Sequence, residues 1–314
     1  MLTPGHRMME RAGALYFYNG RRLVTVTAPD PMLDLFGAVS DLPVRADDAD
    51  TASRVLGLEP EVAAQVMSLL RSLQLIEDDP AAKPRPGDAR SRTARYCSSL
   101  RGGWPTAAAV ARHFESRRVL VLGAHSEDVH SAVTAAGLPA SVVTRQVLDA
   151  DSDLTDAVLV VTAGADGSAG ELPAINELAL RRNLTWLPIG AFDGAVIRVG
   201  PLMIPGATAC FRCTVTRLAA NVEFPAEFVE LAVRMPAADA PPAVDQWAIG
   251  FATLLLLRWL GAADAGAAGV LHTLVPAELT TRAARVYPVP RCCACHAADW
   301  LPAAAPWEVG DDGR

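Results

Sequence analysis

Two pairs of cysteines carry the strongest chemical signal in the chain. Cys210-Phe211-Arg212-Cys213 and Cys292-Cys293-Ala294-Cys295 are CxxC motifs separated by the 78 residues 214–291. Thiolates three positions apart can face one tetrahedral ion, and two such pairs complete a closed four-cysteine shell. A closed shell has no open coordination position, so the zinc it predicts is structural and not catalytic. Each pair follows a turn signal, Pro205-Gly206 before the first and Pro288-Val289-Pro290 before the second. Such turns let backbone amides point at thiolates. Cys293 and His296 are spare donors, and the CxxC spacing leaves Cys293 a bystander. The bland alternative is a set of core or redox cysteines. Cys97 reads as buried packing.

A second set of residues excludes chemistry. Among 28 basic residues Lys83 is the single lysine, in the proline-rich run Ala82-Lys83-Pro84-Arg85-Pro86. Neither a phosphate-binding P-loop nor a Schiff-base lysine can be built there. The run Leu122–Asp128 stands where a dinucleotide fold carries GxGxxG. Gly123 is present, but His125 and Asp128 replace the second and third glycines. His125 obstructs the backbone approach to a phosphate, and Glu127 and Asp128 repel one. The expectation is therefore no cofactor at this degenerate loop and a purely structural strand-to-helix turn.

The net charge of −7 argues against a general nucleic-acid binder. The first residues lack the apolar core of a secretory signal. The apolar stretch Trp247–Leu257 is shorter than the ~20 residues of a membrane span and reads as a buried helix. A cytoplasmic location with no membrane contact, and reduced cysteines, is the expectation.

These residues must be positioned by elements that the pattern also predicts. Residues 1–79 form one block. Leu15–Tyr18 and Leu23–Thr27 are β-rich runs around Asn19-Gly20, and a shorter strand covers Arg7–Glu10. Helices follow over Met32–Val39 and 51–57. A longer one opens at Glu59-Pro60 with Val62, Val66, Leu69, Leu70 and Leu73 on one face. Strands, then three helices, then Leu75-Ile76 suit a small winged-helix domain. Residues 80–105 read as a linker by composition. From 106 onward strands at 118–123, 140–144, 157–161 and 184–189 alternate with helices, which predicts parallel βαβ units. Gly194–Val199 begins a change to antiparallel structure, and 239–244 reads as a mobile crossover loop.

From 106 to 296 the chain resembles the ThiF/MoeB-like, ubiquitin-activating-enzyme-like superfamily. The matching features are the glycine turn at 119–123, the strand 157–161, Asn176, the strand 184–189 and Gly194. They continue with Gly200–Cys213, the apolar helix 244–260 and the final CxxC. Pro205-Gly206, followed by Cys210 and Cys213, is the most specific part. The order of segments resembles a narrower group, the ThiF-like leader-peptide-binding proteins of thiazole/oxazole-modified peptide biosynthesis, often described as cyclodehydratase components.

The resemblance implies a winged-helix RiPP recognition element at 1–79, a linker at 80–105 and a degenerate ThiF/MoeB-like Rossmann-type domain with structural zinc at 106–314. It also implies a YcaO-type partner that binds ATP and performs cyclodehydration. In some members that partner is fused behind the last CxxC; with Arg314 the last residue given, it is expected in trans. A homodimer is the default. Active superfamily members hold ATP phosphates with a lysine and arginines and magnesium with an aspartate after the third strand. Here that strand is followed by Thr162–Ala165, with Asp166 displaced. Residues 214–291 also contain no catalytic cysteine. The reading is a chain with no catalytic residues that binds a precursor-peptide leader. The leader is expected as an added strand beside Leu23, Thr25 and Thr27, over Val66 and Arg71. The alternative is an ATP-dependent adenylyltransferase. A DNA-binding regulator is weakened by seven arginines against twelve acidic residues in 1–79.

Overall fold

The computed structural model describes residues 7–12, 14–18, 23–27, 53, 57, 59–72, 89–100, 107–150, 154, 156–163, 168–234 and 238–295. They fall into two compact units, one of residues 1–116 with 260–263 and one of 117–259 with 264–314.

The first unit carries a three-stranded antiparallel sheet, β1 (Arg7–Arg11), β2 (Ala14–Tyr18) and β3 (Leu23–Thr27), in the order β1-β2-β3. Leu15 and Phe17 of the central strand are buried and stand opposite Val26 and Val24. The register therefore sends Val24 and Val26 inward and leaves Leu23, Thr25 and Thr27 exposed. Helix α1 (Pro60–Ser72) begins with proline at its first position, where the missing amide costs nothing. Its buried stripe is Ala63, Val66 and Met67, while Val62 and Leu69 are exposed. Of the expected face, Val66 is buried, Val62 and Leu69 are not, and the side chains of Leu70 and Leu73 lie outside the described residues. Spacing admits both stripes, and the one through Ala63 and Met67 is the one that packs.

Helices α2 (Ala89–Leu100) and α3 (Ala107–Glu115) pack on each other. The span that reads as linker thus includes a regular helix. Cys97 and Phe114 are fully buried there, and a Cβ at Gly261 would lie 2.4 Å from the Cys97 sulfur. Burial pushes the Cys97 thiol up to about 12. The expected helix at 32–39, most of 51–57, Leu73, and Leu75-Ile76 lie outside the described residues.

The second unit is built on a seven-stranded sheet ordered β10-β9-β8-β7-β6-β4-β5. Strands β4 (Arg118–Gly123), β5 (Ala140–Val142), β6 (Ala157–Thr162) and β7 (Thr185–Ile189) are parallel. Strands β8 (Ile197–Val199), β9 (Val270–Val275) and β10 (Thr280–Arg285) continue it antiparallel. All six residues of β6 are buried, as expected for a parallel strand covered on both faces. Helices α4 (Ser126–Ala135), α5 (Arg145–Ala150) and α6 (Leu172–Arg182) connect the parallel strands. Trp186, Ile175, Leu178 and Leu159 centre one core layer. This is a mixed α/β, Rossmann-like arrangement.

Three helices lie between β8 and β9 or lead into them: α7 (Phe211–Ala219), α8 (Pro225–Arg234) and α9 (Pro242–Leu256). The expected mobile loop at 239–244 is shorter than its composition suggests, because Pro242 already opens α9. No helix among the described residues is long and apolar enough to cross a membrane.

Candidate functional site

The four cysteines converge. Cys210 is the cap residue of α7 and Cys213 lies in its first turn, while Cys292 and Cys295 follow β10. Their sulfurs all lie within 4.8 Å of one another. The separations are 3.8 Å for Cys210–Cys213, 3.9 Å for Cys210–Cys292 and 3.5 Å for Cys213–Cys295. A tetrahedral zinc with ~2.3 Å bonds to sulfur requires edges of about 3.8 Å, so the residues present fit the ion. Cys210, Cys213 and Cys292 are buried and Cys295 half-buried, whereas Cys293 is exposed and outside the cluster.

Each knuckle is held by identifiable bonds. The Cys210 side chain does not cap α7. Instead the buried Asn176 carboxamide accepts the Phe211 amide at 2.9 Å. Thr214 donates its hydroxyl to the Cys210 carbonyl at 3.1 Å. On the other side the Val289 amide donates to the Cys213 sulfur at 3.3 Å. Arg217 fastens the second knuckle to α7, donating to the carbonyls of Tyr287 and Pro288 at 3.3 and 3.1 Å. Arg291 adopts a left-handed conformation, with φ of 58°, just before Cys292.

Charge is shared unequally among the thiols. A hydrogen bond from Cys210, opposed by burial and helped by the Val289 amide, brings Cys213 down to about 4. Cys210 is pushed up in return by that same bond and by burial. Burial first, then the bond to Cys213, raises Cys295 to about 12. A dication is the group that would ionise all four together.

The turn at Gly123 is closed by protein groups. Gly123 has φ of +113°, and a Cβ there would lie 2.0 Å from the Thr162 carbonyl oxygen. The Thr162 hydroxyl accepts the His125 amide at 3.1 Å and donates to the Leu122 carbonyl at 3.3 Å. Glycine is thus required by the close approach of β6, and one of the amides at the start of α4 is already satisfied. Asp166 lies outside the described residues.

The residues expected to contact a peptide are placed as follows. Leu23, Thr25 and Thr27 share the exposed face of β3. No described strand pairs with the outer edge of β3. Val66 is buried at 3% exposure, and the Arg71 side chain lies outside the described residues. Sequence reasoning used Asn176 only as a landmark and missed Arg217; both act on partners distant in sequence.

No protein-family model and no curated protein matches the chain. Among solved structures, its fold is that of a class of heterocyclases and of the MccB enzymes. One is the heterocyclase TruD, with a TM-score of 0.68 and 22% identity over 94% of this chain and 42% of that one. Another is a heterocyclase in complex with substrate and cofactor, with a TM-score of 0.69 and 19% identity over 94% of this chain and 39% of that one. The microcin C7 biosynthetic enzyme MccB in complex with N-formylated MccA matches with a TM-score of 0.58 and 13% identity, over 94% of this chain and 99% of that one. At these identities the likeness is one of fold. The chain spans about two fifths of the heterocyclase chains it matches.

Proposed function

We propose that this chain binds the leader of a ribosomally made precursor peptide and presents it to a YcaO-type cyclodehydratase, without catalysis of its own. Residues 1–79 act as a winged-helix recognition element, 80–105 as a connecting segment and 106–314 as a ThiF-like frame. The observation that carries the reading is the outer edge of β3, with which no strand among the described residues pairs. A strand edge of this kind is an aggregation liability unless it has a partner, and an extended peptide supplies one through backbone hydrogen bonds. Leu23, Thr25 and Thr27 alternate with inward Val24 and Val26, so a strand added there meets a regular side-chain row. Val66, buried on α1, and Arg71 are the residues of the following helix assigned to the same peptide site. The fold shared with heterocyclases and with MccB supports a place in ribosomal-peptide modification.

Cys210, Cys213, Cys292 and Cys295 hold one zinc ion. When bound it supplies charge neutralisation and cross-linking, with no open position for chemistry. The sequence offers no lysine for nucleotide phosphates outside position 83.

The test is fluorescence polarisation of a labelled cognate leader with the full chain. Binding that is lost in Thr25→Pro and weakened in Leu23→Asp supports the reading. Binding indifferent to both changes overturns it. Isothermal titration with ATP and magnesium tests the catalytic alternative, an adenylyltransferase; micromolar binding by this chain alone would remove the scaffold reading.

A further inference from the structure

The second unit contains a cavity of about 450 Å³ that none of the chemistry above uses. It opens beyond the carboxyl ends of β6 and β7, where open α/β sheets place ligands. Its walls are mainly apolar and include Phe192, Phe211, Phe228 and Leu231. The size and lining are those of a ligand site rather than of a packing defect.

Besides Thr214, whose hydroxyl is taken by the Cys210 carbonyl, the polar side chains among the described lining residues are one ion pair. Asp193 accepts the amides of Ala195 and Val196 at 3.0 and 2.8 Å and one guanidinium N–H of Arg198 at 2.7 Å. The Arg198 guanidinium has no other hydrogen-bond partner among the described residues, so its remaining N–H groups are available at the cavity wall. Because Asp193 already neutralises this charge, the site suits a neutral acceptor such as an amide carbonyl better than a phosphate or free carboxylate.

The mouth continues along helix α8. Phe224, Phe228 and Leu231 fall at i, i+4 and i+7 and form one apolar ridge. Phe224 is 61% exposed and Leu231 49%. A ridge leading into a half-open apolar cavity is a footprint for a chain, larger than one small molecule requires. We infer that this cavity receives a large apolar side chain, aromatic or branched, from a partner peptide segment whose backbone carbonyl accepts from Arg198. The inference does not rest on the leader-strand reading, since every residue it uses belongs to the second unit.

Saturation-transfer NMR on the full chain tests it, with N-acetyl-phenylalanine N-methylamide as probe. Signal from the ring protons, absent for N-acetylglycine N-methylamide, is the expected result. Ala191→Phe and Ala163→Leu fill the cavity from two sides and are each expected to abolish the signal, with melting temperature and zinc content checking that each variant folds. Arg198→Gln is expected to weaken binding about tenfold, the loss of one charge-assisted hydrogen bond. Absence of signal at millimolar probe, equal signal from the glycine compound, or binding unchanged in a folded filling variant would overturn the inference. Tighter binding of free phenylalanine than of the blocked compound would also overturn it, in favour of a free amino-acid site.

Discussion

Gly123→Ala is the substitution whose effect follows most directly from geometry. The new Cβ would sit 2.0 Å from the Thr162 carbonyl oxygen and 2.6 Å from its hydroxyl, where ordinary contact begins at 3.4 Å. Strands β4 and β6 would have to part by well over an ångström at the point where Gly123 pairs with Thr162. A backbone held at φ of +113° adds about 1–2 kcal/mol of strain for any L side chain. Overpacking of a buried strand pair adds about 1–3 kcal/mol. Together the loss should reach about 2–5 kcal/mol, a large part of the usual 5–15 kcal/mol of a folded domain. Urea unfolding followed by circular dichroism measures it, with the slope m compared between variants. Adding Thr162→Ala removes the hydroxyl but leaves the carbonyl, so the double variant should recover less than half. A loss below about 1 kcal/mol would refute the steric account. Glycine kept instead for phosphate approach predicts the opposite pattern, stability retained and nucleotide binding lost.

Elemental analysis should find one zinc per chain, and Cys213→Ser should release it; a stably folded, metal-free wild-type protein would remove the zinc assignment. Arg217→Ala should speed zinc loss to a chelator and lower stability by about 1–2 kcal/mol, since two carbonyls lose their donor; unchanged release would show that the second knuckle holds itself. Iodoacetamide at pH 8 should label exposed Cys293 and spare Cys97, whose buried thiol is raised to about 12; labelling of Cys97 in the folded protein would contradict its burial. Stability should fall on acidification in two ranges. Burial, then the positive charge of Arg258, lowers the His272 pKa, so the folded state favours its neutral ring. That contribution is complete above the unfolded value of about 6.5 and lost as pH falls below it. Burial opposes the charge of Asp193, but the Val196 amide, the Arg198 side chain and the Ala195 amide outweigh it and lower the pKa. Its contribution is complete above about 3.9 and lost as pH falls further. His272→Leu should flatten the decline between pH 7 and 5, and an unaltered slope there would assign it to other groups.

The legible parts of this molecule are those written locally. CxxC spacing needs only one helical turn to be meaningful, and the continuous apolar runs at 119–122 and 157–161 announce strands covered on both faces. The helix pattern of 172–181 and the antiparallel turn-back after Gly194 are of the same kind. What escaped depends on distant partners. Strand β10, Thr280–Arg285, is exposed at every position, so no alternation marks it as a strand. Helix α1 offers two apolar stripes, and only packing selects Ala63, Val66 and Met67 over Val62 and Leu69. The Asn176 contact with Phe211 spans 35 positions and the Arg217 clamp about twice that, beyond any window a periodicity can use. The cavity is harder still to foresee, because its walls come from strand ends and three helices that no motif unites.

The cysteine cluster has a topological consequence. Cys210 and Cys292 are 82 positions apart, so a bound ion closes a long covalent circuit through the chain. A cross-link of that span confers roughly 4–5 kcal/mol by loop-closure entropy alone, provided the native geometry is unstrained. Both α8 and α9 lie within the circuit, anchored through its two ends. Closure entropy grows only slowly with length, about 0.6 kcal/mol for each doubling. Insertions between these helices, around positions 235–241, should therefore leave the frame intact. Such a stretch is where relatives of this fold can acquire new surface without rebuilding what carries it.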